Sequence, residues 1–482
     1  MKTDRKEPEP EAFLRCSGRA AGVPAREKNA MELYLHIPFC VRKCGYCDFL
    51  SFPSDEETRG QYLEALTEEL RLVSAAHQRR PRSAERQHRP HSAAHQRRPR
   101  SAERQRRPDS AAPDRKMSLA ASNESSRRID TIFIGGGTPS VLTARQIVTV
   151  MERIFGLFDV APDAEITIEA NPGTIDFDKL KAYRQAGINR LSIGCQSMHD
   201  GELARMGRIH DRATFLRSYE LARSAGFSNI SFDLISGLPG QTAAAWETSL
   251  RLAAALAPEH ISAYSLILEE GTPFYEQRQT LDLPDEEEER LMYECTAEVL
   301  LQYGYGQYEL SNYAKPGFAC RHNTGYWTGV PYLGVGLGAA SCCEAAADCG
   351  QAAEMVRFTD CRDLRTYLSL CGNGRIESKI EELKADDPDA AWRRFLEDPL
   401  HTEQERLSGL DLQAEYMILG LRMTRGVSET GFRARFGKEL RAEYGDLIEK
   451  YRAHGLLALE RGRLFLTKRG QSLANVVMAE FL

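Results

Sequence analysis

The stretch HIPFCVRKCGYCDF, residues 36–49, places Cys40, Cys44 and Cys47 in a C-x3-C-x2-C spacing directly after a short apolar run. Three cysteines this close together are typical of a metal centre. A structural zinc ion requires four ligands, whereas a cubane iron–sulfur cluster can be held by three thiolates through three of its irons. The spacing therefore predicts either a zinc site with one further ligand or an iron–sulfur cluster with one open iron.

His36 is the residue that could complete a zinc site of three cysteines and one histidine, because it lies four residues before Cys40. It falls within the apolar run that predicts a strand, and Pro38 separates it from the first cysteine. This placement disfavours the zinc site without removing it as an alternative.

The composition indicates a globular protein with several domains. The chain has 482 residues, a net charge of −6 and 42% hydrophobic residues, and it contains no apolar run long enough for a membrane span. Its start, MKTDRKEPEPEAF, lacks the apolar core of a signal peptide. We expect a cytoplasmic protein whose twelve cysteines are thiols or metal ligands rather than a disulfide scaffold.

Two segments have the composition of disordered chain. Residues 1–29 are polar and punctuated by proline, and SAAHQRRPRSAERQ at 74–87 recurs unchanged at 92–105. The repeat region has no aliphatic residue larger than alanine, so it cannot bury enough surface to offset its chain entropy. We predict a disordered, arginine-rich insert at about 74–127; contact with RNA or peripheral association with an anionic membrane is the alternative.

Outside the insert, short apolar runs alternate with amphipathic stretches, which predicts parallel strands joined by crossover helices. The predicted strands are 32–37, 130–137, 165–170, 190–197, 229–237 and 260–266, and the predicted helices are 56–73, 143–157, 176–186, 211–225 and 242–256. Strands this uniformly apolar are buried on both faces. A doubly wound open sheet and a barrel both fit this α/β pattern.

The pattern changes after residue 284. Residues 285–400 predict an α+β extension, and residues 401–482 predict a helical domain that ends in a winged-helix-like unit with a hairpin ending at Thr467. No arginine-rich recognition helix stands out in the last domain, so we expect a packing role rather than specific nucleic-acid binding.

Polar and glycine residues follow the predicted strands. The cysteines follow the first strand, GGGTPS at 135–140 the second, and Glu169, Gln196 and Asp233 the next three. In barrels and open α/β sheets, ligands bind beyond the carboxyl ends of the strands. The carboxylates of Glu169 and Asp233 could bind an ammonium group or ribose hydroxyls, and the Arg208 guanidinium could bind a carboxylate. The sequence therefore predicts one ligand site.

These motifs carry a family resemblance. The C-x3-C-x2-C spacing, GGGTP, and the wording YLHIPFC, EANPGT, RLSIGCQS and DLISGLPGQT resemble radical S-adenosylmethionine (SAM) proteins. The resemblance is to the branch that contains oxygen-independent coproporphyrinogen III oxidase and the haem chaperones called HemW. It runs from about Leu33 to the C-terminus, outside the insert, and implies a partial six-unit (β/α) barrel.

The resemblance also implies site residues. Cys40, Cys44 and Cys47 would hold a 4Fe-4S cluster whose open iron binds SAM; no catalytic residue is assigned. The implied SAM contacts are Tyr34, Tyr46, Gly136, Gly137, Thr138, Glu169, Gln196, Arg208 and Asp233, with Ile267 contributing its backbone alone.

Two features favour the chaperones within this branch. The oxidase has a fourth cysteine two residues after the third, where this chain has Phe49, and RHNTGYW at 321–327 matches the chaperone motif HNxxYW. His322 is therefore a candidate haem ligand, with Tyr326 and Trp327 as flat surfaces for a porphyrin; the alternative is a polar loop beside a packed core.

The leading hypothesis is a haem chaperone that binds haem as cargo and delivers it to haem proteins, respiratory or other. Coproporphyrinogen III oxidase is the second hypothesis, and a zinc-containing RNA-binding protein is the third.

Overall fold

The computed structural model describes residues 30–79, 127–345, 355–372 and 374–482. The predicted disordered extension and most of the predicted insert lie outside these ranges. Within them, no helix combines the length and the apolar character that crossing a bilayer requires.

Six strand–helix units open the described chain, as the alternation predicts. The strands are β1 (Ala30–Ile37), β2 (Arg128–Gly136), β3 (Val160–Ala170), β4 (Arg190–Gln196), β5 (Ile230–Ser236) and β6 (His260–Ser265). The helices are α1 (Glu56–Arg79), α2 (Ala144–Leu157), α3 (Phe177–Gln185), α4 (Asp200–Arg205), α5 (Arg212–Ser224) and α6 (Ala243–Ala255), with a 3-10 turn at Pro139–Val141.

The six strands pair in chain order, and every pairing is parallel. A doubly wound sheet reverses its strand order at a switch point, which this sheet does not do. Because crossover connections are right-handed, sequential order places the helices on one face of the sheet, as in a barrel. The partial six-unit barrel is confirmed. The outer edges of β1 and β6 pair with later strands rather than with each other.

Local sequence explains where the crossover helices begin. Thr143 caps α2 through a reciprocal capping box with Gln146, and Asp176, Asp211 and Thr242 accept backbone N–H groups at the starts of α3, α5 and α6. Such caps satisfy amides that have no partner within the helix. The strands between them are almost entirely buried and form the main core.

The helix α1 continues six residues beyond the predicted end at 73, so the repeat begins inside a packed helix. Ser74 Oγ donates to the carbonyl of Leu157 at 2.7 Å, and His77 Nε2 donates to the carbonyl of Arg127 at 2.8 Å. Both side chains are buried. The start of the predicted insert therefore moves from 74 to the end of α1.

The extension widens the barrel sheet at both edges. The chain between β6 and the last unit forms α7 (Pro273–Glu276), α8 (Glu286–Gln302), β7 (Gly306–Glu309), β8 (Asn312–Ala314), α9 (Arg321–Trp327), β9 (Tyr332–Val335), β10 (Ala340–Glu344), β11 (Met355–Asp360), α10 (Leu364–Cys371), α11 (Arg375–Ala385), α12 (Pro388–Leu396) and β12 (His401–Leu407). The strand order among the described residues is β12-β11-β10-β9-β1-β2-β3-β4-β5-β6-β8-β7.

The last unit has its own sheet and core. It consists of α13 (Gly409–Arg422), β13 (Val427–Ser428), α14 (Glu429–Phe436), α15 (Leu440–Ala453), β14 (Leu457–Glu460), β15 (Arg463–Leu466), α16 (Lys468–Ser472) and α17 (Ala474–Ala479). The antiparallel order β13-β15-β14 behind three helices is the winged-helix arrangement that the sequence predicts. The predicted start at 401 is too early, because β12 pairs with β11 in the large sheet.

Candidate functional site

The cysteine loop follows β1 and is fixed at both of its ends. The backbone N–H of Cys40 donates to Phe52 O at 3.1 Å, and the N–H of Phe52 donates to Pro38 O at 2.9 Å. In the middle, Gly45 N–H donates to Met206 O at 3.1 Å. The three cysteines are half-buried thiols, so they face the mouth of the barrel while the backbone that carries them is tied down.

A chain of hydrogen bonds links two of the cysteine sulfurs. Asn171 Nδ2 donates to Thr138 Oγ1 at 2.7 Å, which leaves the Thr138 hydroxyl free to donate to Cys40 Sγ at 3.3 Å. Arg208 Nη2 donates to Asn171 Oδ1 at 2.6 Å, and its Nη1 lies 3.6 Å from Cys44 Sγ. Both sulfurs therefore have a hydrogen-bond donor beside them, which is one of the contacts by which a protein tunes a cluster bound through cysteine.

Asn171 at the centre of this chain was not among the predicted site residues. It directly follows Glu169 and Ala170 at the end of β3, within the quoted motif EANPGT. The strand-end rule that selected Glu169 would have included Asn171 as well, but its bridging role depends on contacts with Thr138 and Arg208, which lie elsewhere in the chain.

The glycine turn after β2 packs against the cysteine strand. Gly136 has φ 108°, and a Cβ atom there would lie 2.6 Å from the His36 imidazole. The N–H of Gly137 donates to Ile37 O at 2.8 Å, and a Cβ on Gly137 would lie 2.7 Å from Phe39 O. Only glycine fits at both positions, because the backbone of the turn packs directly against His36 and Phe39.

Two carboxyl groups form the floor of the site. Glu169 Oε2 accepts the N–H of Gly136 at 3.2 Å, and Asp233 accepts the Ser192 hydroxyl at 3.0 Å. Burial and then the neighbouring Asp233 charge raise the pKa of Glu169 to about 8. Burial also raises the pKa of Asp233, which hydrogen bonds from Ser262 and Ser192 oppose. The floor is therefore suited to a ligand that brings a cation or hydroxyl donors.

Gln196 and two tyrosines complete the wall. Gln196 adopts φ 65°, and a Cβ atom at Gly194 would lie 2.7 Å from Gln196 Nε2 and 3.3 Å from Arg208 Nη2. Burial raises the pKa of the Tyr46 hydroxyl, and the charge of Arg208 opposes that rise. Tyr34 stacks on Phe133 at 6.3 Å.

The predicted SAM residues on β1 to β5 and in the cysteine loop thus surround one mouth. Ile267 lies beyond β6 with 66% of its surface exposed, which places it on the rim.

The hydrogen bonds of His36 argue against the zinc alternative. Its Nε2 donates to Leu50 O at 2.9 Å, and its Nδ1 accepts the Tyr34 hydroxyl at 3.1 Å, so both nitrogens are occupied. Among the described residues, no group of three or more His, Cys, Asp or Glu side chains is placed around a single metal ion. A cubane does not need such a group, because each thiolate binds a different iron.

The predicted haem ligand His322 lies buried inside the protein. Its Nδ1 is 2.7 Å from Thr131 Oγ1 and its Nε2 is 3.0 Å from the Tyr326 hydroxyl. Its ring stacks on Phe133 at 5.2 Å, and only 1% of the residue is exposed. The imidazole anchors α9 to β2 in this conformation and presents no nitrogen to a ligand.

Comparison with known proteins identifies the family. The radical SAM superfamily matches residues 34–253, and the HemN C-terminal domain matches residues 407–473. The haem chaperone HemW of Bacillus subtilis is 32% identical over 454 residues, which cover 93% of this chain and 98% of that protein. The chain belongs to the HemW family of radical SAM proteins. Escherichia coli HemW is 34% identical over 357 residues, covering 74% of this chain and 78% of that protein.

A solved structure shares the fold. Coproporphyrinogen III oxidase (HemN) from Escherichia coli, a radical SAM enzyme, matches with a TM-score of 0.67 and 21% identity, covering 98% of this chain and 93% of that chain. At this identity the likeness concerns the fold alone.

The residue two positions after Cys47 is not a cysteine, so the loop of this HemW-family chain lacks a four-cysteine motif. Phe49 occupies that position and is 67% exposed. The other described cysteines lie outside the loop and form no disulfide: Cys195, Cys295, Cys320, Cys342, Cys343, Cys361 and Cys371. The donor set of the loop, three thiols with hydrogen-bond donors beside them, fits a cluster that is held by three irons.

Proposed function

We propose that this chain is a haem chaperone that holds a 4Fe-4S cluster and SAM at the barrel mouth and carries haem as its cargo. The observation that carries the proposal is the three-thiol loop, with Phe49 in place of a fourth cysteine, in a chain that belongs to the HemW family.

Cys40, Cys44 and Cys47 would bind three irons and leave the fourth to the amino and carboxylate groups of SAM. When bound, the cluster and SAM supply one-electron chemistry. The protein positions these groups: Thr138 donates to one cysteine sulfur and Arg208 to another. Hydrogen bonds to the sulfurs and restricted water access are the means by which a protein tunes a cluster.

The remaining residues would orient SAM. Glu169 and Asp233 offer acceptors to the ammonium or ribose hydroxyls, while Gly136 and Gly137 let the ligand approach the backbone. Tyr34, Tyr46 and Gln196 line the wall, and the backbone of Ile267 contributes at the rim. A cation bound beside Glu169 lowers its pKa from about 8, so binding at neutral pH would release a proton.

Haem would be delivered to haem proteins, respiratory or other. Coordination by His322 would require its imidazole to leave two hydrogen bonds and a stacked ring. We therefore propose that His322 holds α9 in place. It could bind haem iron only in a state in which α9 has moved.

The test uses the full-length chain reconstituted anaerobically. We expect about four irons and four sulfides per chain, a Soret band on adding haem, and transfer of that haem to an apo-haem protein such as apomyoglobin. Coproporphyrinogen III should not be consumed. Stoichiometric zinc in place of iron, or turnover of coproporphyrinogen III, would contradict the proposal.

The test variant replaces Cys40, Cys44 and Cys47 with serine, and the matched control replaces three cysteines outside the loop. The test variant should lose iron and sulfide, while the same three substitutions at the buried Cys342, Cys343 and Cys371 should leave the iron content unchanged.

A further inference from the structure

A surface cleft of about 280 Å³ lies between the end of α9 and the winged-helix unit. We call it the arginine cleft; its lining includes Trp327, Gly329, Tyr416, Arg425, Arg435 and Arg463. Trp327 is the last residue of the HNxxYW motif, so this motif spans from the buried His322 to the wall of the cleft. The cleft is separate from the barrel mouth and contains none of the predicted SAM residues.

The cleft carries an excess of positive charge. Among the described residues, no carboxylate lies within 4.0 Å of the guanidinium groups of Arg425, Arg435 or Arg463. The one acidic residue in the lining, Glu415, is already paired with Arg357 at 2.5 Å. Three cations gathered without counter-charges repel one another, and an anionic ligand would relieve that repulsion.

The three guanidinium groups line the same cleft. All three act on the Tyr416 hydroxyl: burial raises its pKa, and the charges of Arg435, Arg463 and Arg425 oppose that rise. Arg435 lies against Gly329, where a Cβ atom would be 2.8 Å from its Nη1.

Arg463 is held in place by the backbone. Its Nε donates to Arg425 O at 2.8 Å and its Nη2 donates to Gly426 O at 2.9 Å. These two bonds leave other N–H groups of the guanidinium available, and a guanidinium whose orientation is fixed binds a carboxylate with less loss of entropy.

An aromatic wall stands beside these cations. The Arg422 guanidinium covers the Trp327 ring at 4.3 Å and lies 3.7 Å from Glu309, which holds the indole in position. The cleft thus combines a flat apolar wall with a group of cations, and this combination suits a flat, apolar ligand whose edge carries carboxylates.

We propose that the arginine cleft binds the propionate edge of haem. The inference rests on the proposed function, in which haem is the cargo, and assigns the site for it. The cleft is large enough for an edge of the macrocycle and leaves the opposite edge outside, where an acceptor protein can take hold of it. Arg425, Arg435 and Arg463 bind the two propionates, and Trp327 contacts the ring.

The test compares haem with haem dimethyl ester, which lacks the propionate charges. Both are added from the same mild-detergent stock to the full-length chain and followed by the Soret band. The variant is the double substitution Arg425→Gln and Arg435→Gln, at two exposed positions. The control is Arg433→Gln, which removes a charge from the same helix as Arg435 at a side chain that is 69% exposed and paired with Glu439.

We expect the double variant to weaken haem binding by about tenfold, since it loses two guanidinium–carboxylate pairs. The control should bind haem as the unsubstituted chain does, and no variant should change the binding of the ester. Equal haem affinity in the double variant and the control would overturn the assignment of the cleft. Failure of the unsubstituted chain to bind haem would instead overturn the proposed function, and this inference with it.

Discussion

Substitution of Gly136 by alanine should destabilise the protein strongly. Gly136 has φ 108°, and its position for a Cβ atom lies 2.6 Å from His36 Cε1 and 2.7 Å from His36 Nδ1. The imidazole cannot simply rotate away, because hydrogen bonds to Leu50 O and from Tyr34 hold it on both sides.

Two costs make up the expected loss. Placing alanine at a positive φ costs about 1–2 kcal/mol. Displacing His36 breaks two hydrogen bonds, each contributing about 1 kcal/mol, in a buried environment. The free energy of unfolding should therefore fall by about 3–4 kcal/mol.

Urea unfolding followed by far-ultraviolet circular dichroism measures this difference. Gly156→Ala is the matched control, because this exposed glycine near the end of α2 has no atom within 4 Å of its Cβ position. Alanine is the better helix former, so the control should be neutral or stabilising by up to about 1 kcal/mol. The reasoning would be refuted if the free energy of unfolding of the Gly136→Ala protein lay within about 1 kcal/mol of that of the control. This limit is about the error of such measurements.

Three further predictions concern polar residues. Asn171→Ala removes the bridge between Thr138 and Arg208. The iron content after reconstitution should therefore fall, or SAM should bind about tenfold more weakly in equilibrium dialysis. Wild-type values of both the iron content and the SAM affinity would count against the bridge. His322→Ala should lower the free energy of unfolding by about 2–4 kcal/mol and leave the Soret maximum of added haem in place, whereas a shifted maximum would identify His322 as the iron ligand. The folded-state pKa of Glu169, about 8, lies above its ordinary value of 4.5, so the folded protein binds the proton more tightly and the stability of the cofactor-free chain should fall as pH rises from about 5 to 8. Glu169→Gln should flatten that slope in thermal melts, and an unchanged slope would show that another group titrates.

The barrel and its mouth could be predicted from the sequence because their signals are local. Each of the first five strands is a short buried run, and residues with ligand chemistry lie at or just after its end. Parallel pairing then places those ends side by side without further information. Glu169 and Asp233 come together for this reason, although 64 residues separate them.

Other features depend on contacts that no local pattern encodes. The strand β9 pairs in parallel with β1, about 300 positions earlier in the chain. His322 is sealed because Thr131 and Tyr326 take up its two ring nitrogens, and a motif that contains a histidine does not reveal whether the ring reaches solvent. The arginine cleft needs three arginines from a loop, a helix and a strand to meet.

The contact between His77 and Arg127 has a consequence for how this protein can change in length. One hydrogen bond of 2.8 Å ties the end of α1 to the residue that precedes β2. Because both boundaries of the intervening segment are fixed by their own contacts, residues can be gained or lost between positions 80 and 126 without shifting β2 against β1. Whole repeat units can accumulate there during evolution, and an engineer can use the same position to insert an affinity tag or a fluorescent domain.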